Sequence, residues 1–394
     1  MNVVDKIYAI INAYLALVSY PFFKPKKPLW LIGGHNAKLY TDNAKVFYEY
    51  ILKQHPNIDI YWVIDKDAPA FEHIKGKKVI KGSVRAYLYF YHAKVVLFSD
   101  TLNSDIAPFS FVLPLVKHFY KKTYKVYLSH GTIAFKKMPA FSGKLAQLKK
   151  AIFYSYDLAI ASTTLAQKAM LGYNINPSAI VLCGSARHDA LESTEHNKNT
   201  ILLTPTWRPW LQGIKDFDGS DFFHQYALLL SHKKLLMYLK VQGITLQFYL
   251  HHMLHEHWEA FKVYENDQVH ILPPHTAIDD SIKSAKLMLT DYSSTCSDFY
   301  YLQKPVLFFQ FDQARFSKEI GSEIDLKNDI FGEVAFDGDT LVKNIIHTIE
   351  NSYALSNKQK EGEKYFIHFK DKQNCMRIYD TICQRNSKAL LCTP

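Results

Sequence analysis

The sequence has 394 residues, of which 48% are hydrophobic and 21% are charged, and its formal net charge is +10. This length suits two domains of ordinary size, and the composition excludes a disordered chain. The five cysteines are scattered and form no CxxC pair, which argues for a reducing compartment and against both a disulfide framework and a zinc ribbon.

The chain begins with an apolar segment, residues 7–23, which is followed by three lysines within residues 24–27. The segment is shorter than the roughly 20 residues that span a bilayer, and Asn12 and Pro21 interrupt it. It lacks a basic leader and a small-residue cleavage site, so a signal peptide is not expected. Two interpretations stay open: a helix that lies in the headgroup layer of an anionic membrane, or a first helix packed on the core.

Short apolar strands then alternate with amphipathic helical stretches, which is typical of parallel sheets that are covered on both faces. A first series of strands is predicted at residues 28–33, 58–64, 94–98, 125–129, 159–161 and 179–183, with a helix at 44–53. A second series is predicted at residues 199–204, 246–250, 269–272, 286–290 and 305–309.

A polar stretch at residues 192–199 separates the two series and has the composition of a linker. We therefore predict an α/β protein of two Rossmann-like domains, residues 1–192 and 193–394. The helical tail after Asn357 is a candidate to cross back onto the first domain. Two such domains would face a central cleft at the carboxyl ends of their strands, where open parallel sheets bind ligands.

The strongest site motif is the segment 289–298, where an apolar strand stops at Thr290 and a run of hydroxyl residues leads into a helix. Thr295 and Asp298 have the spacing of a capping box. Free backbone N–H groups and the positive end of a helix dipole attract phosphate at such a place. The competing interpretation is an ordinary strand-to-helix turn with a good cap.

Histidines follow two of the predicted strands. His130 precedes Gly131 at the end of one strand, where an imidazole can serve as a general base and a glycine lets a substrate approach; a structural histidine is the alternative. Residues 250–257 contain four histidines, and the helical spacing of His251 and His255 makes a metal site conceivable. No cysteine or clear carboxylate set accompanies them, which favours one working histidine that donates to a phosphate.

Two arginines also follow predicted strands. Arg208, in the TPTWR segment, could neutralise a diphosphate by bidentate contacts or could be an ordinary surface residue. Arg187 and Asp189 end the first domain and could line the cleft or fix the hinge. The pair Gly33-Gly34 is a weak phosphate-loop signal, because no full GxGxxG follows.

The motifs occur in the same order as in a known group of enzymes. They are HGT at 130–132, GSARHDAL at 184–191, PTWR at 205–208, a histidine before Met253 and LTDYSSTCSDFYYLQKPVLFF at 289–309, together with Asp42-Asn43 and the segment 371–377. The chain resembles the CDP-glycerol glycerophosphotransferases of teichoic acid synthesis and their capsule-polymerase relatives. The resemblance implies a GT-B fold, a CDP donor held by the carboxy-terminal domain, and transfer of a phosphopolyol to an acceptor hydroxyl with CMP as leaving group.

The resemblance also implies roles for individual residues. His130 is expected to be the base for the acceptor hydroxyl, and His252 the contact to the donor phosphate. His251 competes for the second role, because the family usually has His-Pro where this chain has His-His-Met. The remaining expected donor contacts are Arg208, Thr290, Asp291, Ser293 and Ser294. Further candidate cleft residues are Gly131, Thr132, Arg187 and Asp189.

The expected partners follow from charge and from the resemblance. Residues 1–190 carry a net charge of +14, whereas residues 191–394 carry −4. A basic first half suits a lipid-linked polyanionic acceptor and a peripheral location on the inner face of the cytoplasmic membrane. No DxD motif or acidic cluster presents itself as a divalent-metal site, so we expect no required metal or other cofactor, although a loosely bound Mg²⁺ stays open.

Two rival functions remain. A GT-B glycosyltransferase that uses a nucleotide sugar for capsule or lipid-linked glycan synthesis would have the same fold. A nonenzymatic nucleic-acid-binding protein would use the basic half, but no RNP, KH or helix-turn-helix pattern is present and the lysines are dispersed. We therefore expect no nucleic acid partner.

Overall fold

The structure is a computed structural model that describes residues 3–107, 109–131, 135–137, 156–172, 175–192, 199–274, 276, 278–326 and 328–391. The chain divides into two compact units. The first unit comprises Met1–Gly131, Met138–Ala190 and Phe369–Pro394, and the second comprises Thr132–Lys137 and Leu191–His368. The division after Ala190 lies beside the predicted boundary at residue 192, and the end of the chain belongs to the first unit.

The first unit is built on a parallel sheet of seven strands in the order β3-β2-β1-β4-β5-β6-β7. Its strands are β1 Leu29–Ile32, β2 Asp59–Ile64, β3 Lys78–Ile80, β4 Val95–Phe98, β5 Tyr124–Tyr127, β6 Leu158–Ala161 and β7 Ile180–Leu182. Its helices up to this point are α1 Val3–Ser19, α2 Asp42–Gln54, α3 Val84–His92, α4 Leu102–Asp105, α5 Phe109–Lys122 and α6 Thr164–Gly172. The central strands are apolar and fully buried, as expected of a sheet that helices cover on both faces.

The second unit repeats this architecture with a parallel sheet of six strands in the order β10-β9-β8-β11-β12-β13. Its strands are β8 Thr200–Thr204, β9 Thr245–Phe248, β10 Val269–Ile271, β11 Leu287–Thr290, β12 Val306–Phe309 and β13 Glu333–Ala335. Its helices are α7 Asp221–Leu230, α8 Lys233–Gln242, α9 Trp258–Lys262, α10 Asp279–Ser284, α11 Cys296–Tyr301, α12 Gln313–Glu319, α13 Gly338–Glu350 and α14 Asn357–Phe366.

Each sheet reverses its direction of growth once. In the first unit β2 and β3 add on one side of β1, and the chain then returns to place β4 on the other side. In the second unit the same reversal separates β8 from β11. Loops diverge at such a switch point and leave a crevice at the carboxyl ends of the strands, where open α/β sheets bind ligands.

The last helix, α15 Asn374–Arg385, packs in the first unit. The carboxylate of Asp189 accepts hydrogen bonds from the backbone N–H groups of Asn374 (3.0 Å) and Cys375 (2.7 Å), which caps the start of this helix. Gly184 lies in the left-handed region (φ 85°), and a Cβ there would collide with Asn374. Asp189 thus fastens the end of the chain to the first unit.

The α/β class with two parallel sheets is confirmed, and every predicted strand is present to within two residues at each end. The sequence analysis missed β3 and β13, which are three-residue strands at the sheet edges. Both carry polar residues (Lys78 and Glu333), because an edge strand is not enclosed by neighbours on both sides.

Helix α1 packs on the first unit along one side, as the second interpretation of the amino-terminal segment expects, and contact with a membrane stays a prediction. Small residues at helical spacing, Ala9, Ala13 and Ala16, are buried, and the helix packs on α3 and α5. The opposite side exposes large apolar side chains. These are Val4, Ile7, Tyr8, Ile10, Ile11, Tyr14, Leu15 and Val18. None of the helices in the described ranges is long and apolar enough to span a bilayer.

Candidate active site

A histidine–aspartate pair lies at the carboxyl end of the first sheet. His130 follows β5 and Asp100 follows β4, and these strands are neighbours. The Nδ1 atom of His130 is 2.8 Å from a carboxylate oxygen of Asp100. The imidazole is still about half exposed (53%), so an incoming group can reach the ring. Hydrogen bonding to Asp100 raises the pKa of His130 to about 9.

A second carboxylate, Asp105, holds this pair in place. It is fully buried and accepts hydrogen bonds from the backbone N–H groups of Ser99 (3.0 Å), Asp100 (2.8 Å) and Asn36 (3.0 Å). Burial, together with the charge of Asp100, raises the pKa of Asp105. A Cβ at Gly33 would lie 2.6 Å from the carbonyl oxygen of Asp105, so this glycine permits close packing. That packing explains the glycine without a phosphate loop.

The loop that carries His130 is braced from the other side by Asn43. Its side-chain amide donates to the carbonyl oxygen of Ser129 (3.0 Å), and its own carbonyl accepts from the Ser185 hydroxyl (2.8 Å) and the Arg187 N–H (3.0 Å). The Arg187 guanidinium pairs with Asp42 at 2.8 Å, and this pairing and His35 hold the pKa of Asp42 well below its usual range against the effect of burial. Arg187 and Asp189 therefore both make contacts within the first unit.

Backbone strain concentrates around the same pair. Nine non-glycine residues of the described part of the chain have positive φ, and five of them are His35, Asn36, Ala37, Asp42 and Ser129. Left-handed conformations cost about 1–3 kcal/mol each for non-glycine residues and persist where surrounding contacts enforce them. The hydrogen bonds of Asp105 and Asn43 supply that enforcement, and strain of this kind is typical of functional sites.

The second unit has a buried carboxylate at its own switch point. Asp291 directly follows β11 and accepts hydrogen bonds from the Thr206 N–H (2.8 Å) and the Tyr226 hydroxyl (3.2 Å). It also pairs with the guanidinium of Arg208 at 2.8 Å, and Asp312 pairs with that guanidinium at 2.7 Å. The three charged groups form one hydrogen-bonded network beneath the carboxyl ends of β8 and β11.

This network corrects the expectation for Arg208. Its side chain is fully buried, with both carboxylates and the carbonyl oxygen of Thr206 as acceptors, so the bidentate contact to a diphosphate is not open to it. Thr290 and Asp291 are likewise fully buried. An arginine at a strand exit looks the same in sequence whether it faces solvent or two buried carboxylates.

The partly exposed members of the expected phosphate loop are Ser293 and Ser294. The predicted capping box at Thr295 is wrong: Thr295 has helical dihedrals and its side chain caps no N–H group. Its hydroxyl instead contacts the hydroxyl of Ser293 at 2.7 Å. The loop therefore keeps a helical conformation up to α11, which removes the extended backbone that a capping residue needs.

The histidines after β9 have distinct environments. His251 is partly buried, and its Nδ1 accepts from the Met253 N–H (3.3 Å), which leaves the ring proton on Nε2. Burial, followed by the nearby His252 and Lys136, lowers the pKa of His251 to about 3, so this ring is neutral at physiological pH. His252 is exposed and stacks on His251 with ring centroids 4.3 Å apart.

Lys136 is a residue of this site that the sequence analysis missed. Residues 135–137 pack in the second unit, where the Lys137 N–H donates to the carbonyl oxygen of Gly321 at 3.1 Å. The Lys136 ammonium lies 5.8 Å from the centre of the Trp207 ring. Burial lowers the pKa of Lys136 to about 8, while Asp291 opposes the shift. The ammonium is thus a cation beside the strand exits that carry His251 and Asp291.

Gly131, Thr132 and His255 are the remaining residues expected at the strand exits. Gly131 is partly exposed, and its carbonyl oxygen accepts from the Ser129 hydroxyl at 3.0 Å, whereas Thr132 lies outside the described residues. His255 contacts the carbonyl oxygen of Leu250 at 3.0 Å. In the described ranges no group of three or more histidine, cysteine, aspartate or glutamate side chains is arranged to hold a metal ion.

The sequence could have indicated Asp100 as a site residue, but not Lys136. Asp100 ends a strand, as His130 does, so a search for carboxylates at strand exits would have found it once β4 and β5 were known to be neighbours. Lys136 follows His130 in the chain but packs in the other unit, and no local pattern in the sequence indicates which unit a short connecting segment joins.

The fold is an α/β protein of two parallel sheets, with a histidine–aspartate pair at the strand exits of one unit and a lysine, a histidine and serine hydroxyl groups at those of the other. The chain belongs to the CDP-glycerol:poly(glycerophosphate) glycerophosphotransferase family, whose model matches residues 16–384. The predicted family and enzyme class, a CDP-glycerol glycerophosphotransferase-type transferase of teichoic acid synthesis, are thereby confirmed.

Individual relatives agree with this assignment. The chain is 26% identical over 377 residues to the minor teichoic acid biosynthesis protein GgaB of Bacillus subtilis, covering 91% of this chain but only 40% of GgaB. It is 24% identical to a teichoic acid glycerol-phosphate transferase of Staphylococcus aureus, covering 91% of this chain and 93% of that protein. The solved structure of the wall teichoic acid polymerase TagF shares the fold, with a TM-score of 0.73, 16% identity and coverage of 97% and 94%.

The buried network predicts a large loss of stability when Arg208 is truncated. Arg208→Ala leaves Asp291 and Asp312 without their cation, which should lower the free energy of unfolding by about 3–5 kcal/mol. Urea-induced unfolding measures this loss. The matched control is Arg315→Ala, which removes an exposed guanidinium 4.6 Å from the Trp210 ring and should cost under about 1 kcal/mol. Equal losses in the two variants would contradict the assignment.

Proposed function

We propose that the chain transfers a glycerol phosphate unit, or a closely related phosphopolyol, from its CDP-activated form to a hydroxyl group of a teichoic-acid-type acceptor. The observation that carries the proposal is the His130–Asp100 pair, held at a switch point by Asp105 in a member of this family. The chain spans 40% of GgaB and 93% of the staphylococcal transferase, so the substrates of the whole protein belong to this proposal.

In the proposed reaction His130 acts on the acceptor. Its Nδ1 is engaged by Asp100, so Nε2 is the atom that takes the proton from the acceptor hydroxyl. The acceptor oxygen forms a bond to the phosphorus that carries the polyol. The bond from this phosphorus to the bridging oxygen of the diphosphate breaks, and CMP leaves with that oxygen. Asp100 holds the ring and stabilises the imidazolium that forms.

The proposed donor contacts lie in the second unit. The neutral His251 can donate a hydrogen bond from Nε2 to a phosphate oxygen, and Lys136 supplies positive charge beside it. The hydroxyl groups of Ser293 and Ser294 are the further donors that remain partly exposed. Arg208 acts indirectly, by fixing the Asp291 loop from below. His251, rather than His252, is the histidine that we assign to the donor.

We also propose that charge neutralisation by Lys136 and hydrogen bonds replaces a tightly bound divalent cation. Phosphoryl transfer depends mainly on positioning and on neutralisation of the phosphate oxygens, and an ammonium can supply the second. The activity should therefore persist in EDTA. A complete loss in EDTA that one equivalent of metal reverses would overturn this part.

Release of CMP tests the reaction. CDP-glycerol and CDP-ribitol are each incubated with the protein, with and without a short glycerol phosphate acceptor, over a range of pH. We expect acceptor-dependent CMP release that rises as pH increases through about 9, because only neutral His130 accepts a proton. His130→Ala should lower the rate by about 10²–10⁴-fold.

The Asp100→Asn variant tests whether His130 is the group whose titration controls the rate. Loss of the carboxylate lets the pKa of His130 fall toward its ordinary value of about 6.5, so the rise in rate should move to lower pH while the maximal rate drops. An unchanged pH profile in Asp100→Asn would exclude His130 as the titrating base. Absence of CMP release from both donors with several acceptors would contradict the proposed reaction.

Lys136 is expected to determine affinity for the diphosphate. Lys136→Ala should weaken binding of CDP-glycerol by about 10–100-fold, as expected for the loss of a charged contact, and should leave cytidine binding unchanged. Calorimetry measures both constants. Lys137→Ala is the matched control, because its exposed side chain is removed while the backbone bond to Gly321 remains.

The pH dependence of the affinity for CDP-glycerol distinguishes the effect of the Lys136 charge from the effect of its packing. With a pKa of about 8 in the protein without donor, Lys136 loses its charge as pH rises, so wild-type affinity for CDP-glycerol should fall above about pH 8. Lys136→Arg should abolish that fall, since a guanidinium stays charged. Asp291, Arg208 and His251 are the other groups that act on Lys136. Equal affinities in Lys136→Ala and Lys137→Ala would refute the role.

We further propose that the protein associates peripherally with an anionic membrane through α1. The exposed apolar side of this helix is followed by Phe22, which is 86% exposed, and by Lys24, Lys26 and Lys27. Apolar side chains can enter the boundary between headgroups and acyl chains while lysines meet anionic lipid. The charge of +14 on residues 1–190 adds to this attraction.

Vesicle flotation tests this association. Ile7→Glu/Ile11→Glu should weaken binding to phosphatidylglycerol-containing vesicles by about tenfold or more, because two exposed isoleucines no longer insert. Val241→Glu/Val263→Glu, which alters two even more exposed apolar residues of the second unit, is the control. Wild-type binding should also weaken at high salt. Equal binding of both double variants would argue against α1 as the membrane contact.

A further inference from the structure

The first unit contains a cavity of about 740 Å³ that neither His130 nor Asp100 lines. One wall is α1, which contributes Asp5, Tyr8 and Asn12. The opposite walls are the segments that follow β1, β2 and β3, including Lys38, residues 65–69 and residues 80–83. The cavity thus opens at the same carboxyl edge of the sheet as His130, beneath the helix whose other side is apolar and exposed.

The walls of the cavity are joined to the His130–Asp100 pair by direct contacts. The ammonium group of Lys81 donates to the carbonyl oxygen of Ser104. The Ser104 hydroxyl donates to Asp105 at 3.0 Å, and Asp105 accepts from the Asp100 N–H. Three inter-strand spacings separate β2 from β5, which amounts to about 14 Å. A chain-like ligand could therefore occupy the cavity and still present a hydroxyl group to His130.

The chemistry of the lining selects the kind of ligand. Three lysines and three aspartates line the cavity: Lys38, Lys66, Lys81, Asp5, Asp65 and Asp67. Ammonium groups pair with phosphate, whereas carboxylates accept hydrogen bonds from hydroxyl groups. Tyr8 and Ile80 add apolar surface. A volume of this size suits a ligand of several tens of atoms. A purely anionic ligand would meet the aspartates unfavourably, whereas a phosphate that carries free hydroxyl groups satisfies both charge types.

We propose that this cavity binds the polyhydroxylated, phosphate-bearing head group of the acceptor, next to the membrane and upstream of the hydroxyl that reacts at His130. The inference rests on the proposed function and adds the place where the acceptor is held. Helix α1 serves both sides: its apolar face contacts lipid, and Asp5 and Asn12 face the head group, whereas Tyr8 lines the cavity and is also exposed beside the apolar face. The side chain of Asn12 also donates to the carbonyl oxygen of Gly82 at 2.9 Å, which ties the helix to the opposite wall.

Steady-state kinetics on the full chain test the proposal. The acceptor is a short glycerol phosphate oligomer, used both free in solution and attached to a lipid tail, and the donor is CDP-glycerol. Lys38→Glu/Lys66→Glu reverses two exposed charges of the lining. We expect its KM for the soluble acceptor to rise roughly tenfold, with the KM for CDP-glycerol unchanged. Lys53→Glu/Lys168→Glu, which reverses two exposed lysines away from the cavity, should change neither constant.

A variant that changes the size of the cavity, but not its charge, distinguishes binding in the cavity from attraction to the overall charge of the first unit. Ile80→Trp narrows the cavity at a side chain that is already 41% exposed, so the fold should tolerate it. It should raise the acceptor KM at every salt concentration, whereas the effect of Lys38→Glu/Lys66→Glu should shrink at high salt. Leu39→Trp, at an exposed leucine that does not line the cavity, is its control.

Each outcome decides between alternatives. Acceptor KM values equal to wild type in both cavity variants would overturn the proposal. Reduced vesicle flotation with an unchanged KM for the soluble acceptor would assign the cavity to bulk anionic lipid and would also overturn it. If the wild type releases no CMP from CDP-glycerol with any acceptor, the proposed function itself fails, which this design distinguishes from failure of the cavity variants alone.

Discussion

A buried carboxylate at each switch point is the constraint on which both sites depend. Where a parallel sheet reverses its direction of growth, the two central loops diverge and open a crevice. Asp105 closes the base of that crevice in the first unit by accepting N–H groups from the loops after β1 and β4. Asp291 does the same in the second unit, joining Thr206 and Arg208 after β8 to the end of β11.

Asp105 and Asp291 are stabilised by different partners, and the difference fits the reaction proposed for each unit. Asp105 has only N–H and hydroxyl donors, and its pKa is raised by burial and by Asp100. Asp100 keeps its charge, because the hydrogen bond to His130 lowers its pKa despite burial. Asp291 is paired with Arg208, which places a cation inside the buried network of the second unit. Lys136 lies beside this network, where the charge of Asp291 opposes the lowering of its pKa by burial.

A pKa of about 9 has two consequences for His130. At neutral pH only about 1% of the imidazole is neutral in the free protein, so most molecules present an imidazolium at the end of β5. In the proposed reaction this charge would attract a phosphate-bearing acceptor before the neutral ring takes up a proton. The small neutral fraction is, however, a stronger base than an ordinary histidine, because Asp100 stabilises the product of proton transfer. The hydrogen bond to Asp100 would therefore account both for the attraction of the acceptor and for the basicity of His130.

The sequence was sufficient for eleven of the thirteen strands that the structure describes and for the polar residues that follow them. Apolar runs bounded by polar residues define β1 and β8 without ambiguity, and His130, His251 and Asp291 all follow such runs. It was not sufficient for contacts between strand exits. Whether Arg208 meets solvent or Asp312 depends on how the chain between residues 209 and 312 packs, and that is a tertiary property.

The amino-terminal apolar segment allowed two interpretations, packing on the core and contact with a membrane, and helix α1 has a different side for each of them. Alanines at positions 9, 13 and 16 let the helix backbone approach α3 and α5 closely, which large side chains on that face would prevent. The large apolar residues are thereby placed on the outside, where exposure to water is unfavourable for each of them. A helix whose small residues face the core and whose isoleucines face outward is poorly explained by packing within the unit alone. In the proposed association, contact with lipid would remove that surface from water, and the cavity on the inner side of the same helix would then lie at the level where a membrane-anchored acceptor presents its polar head group.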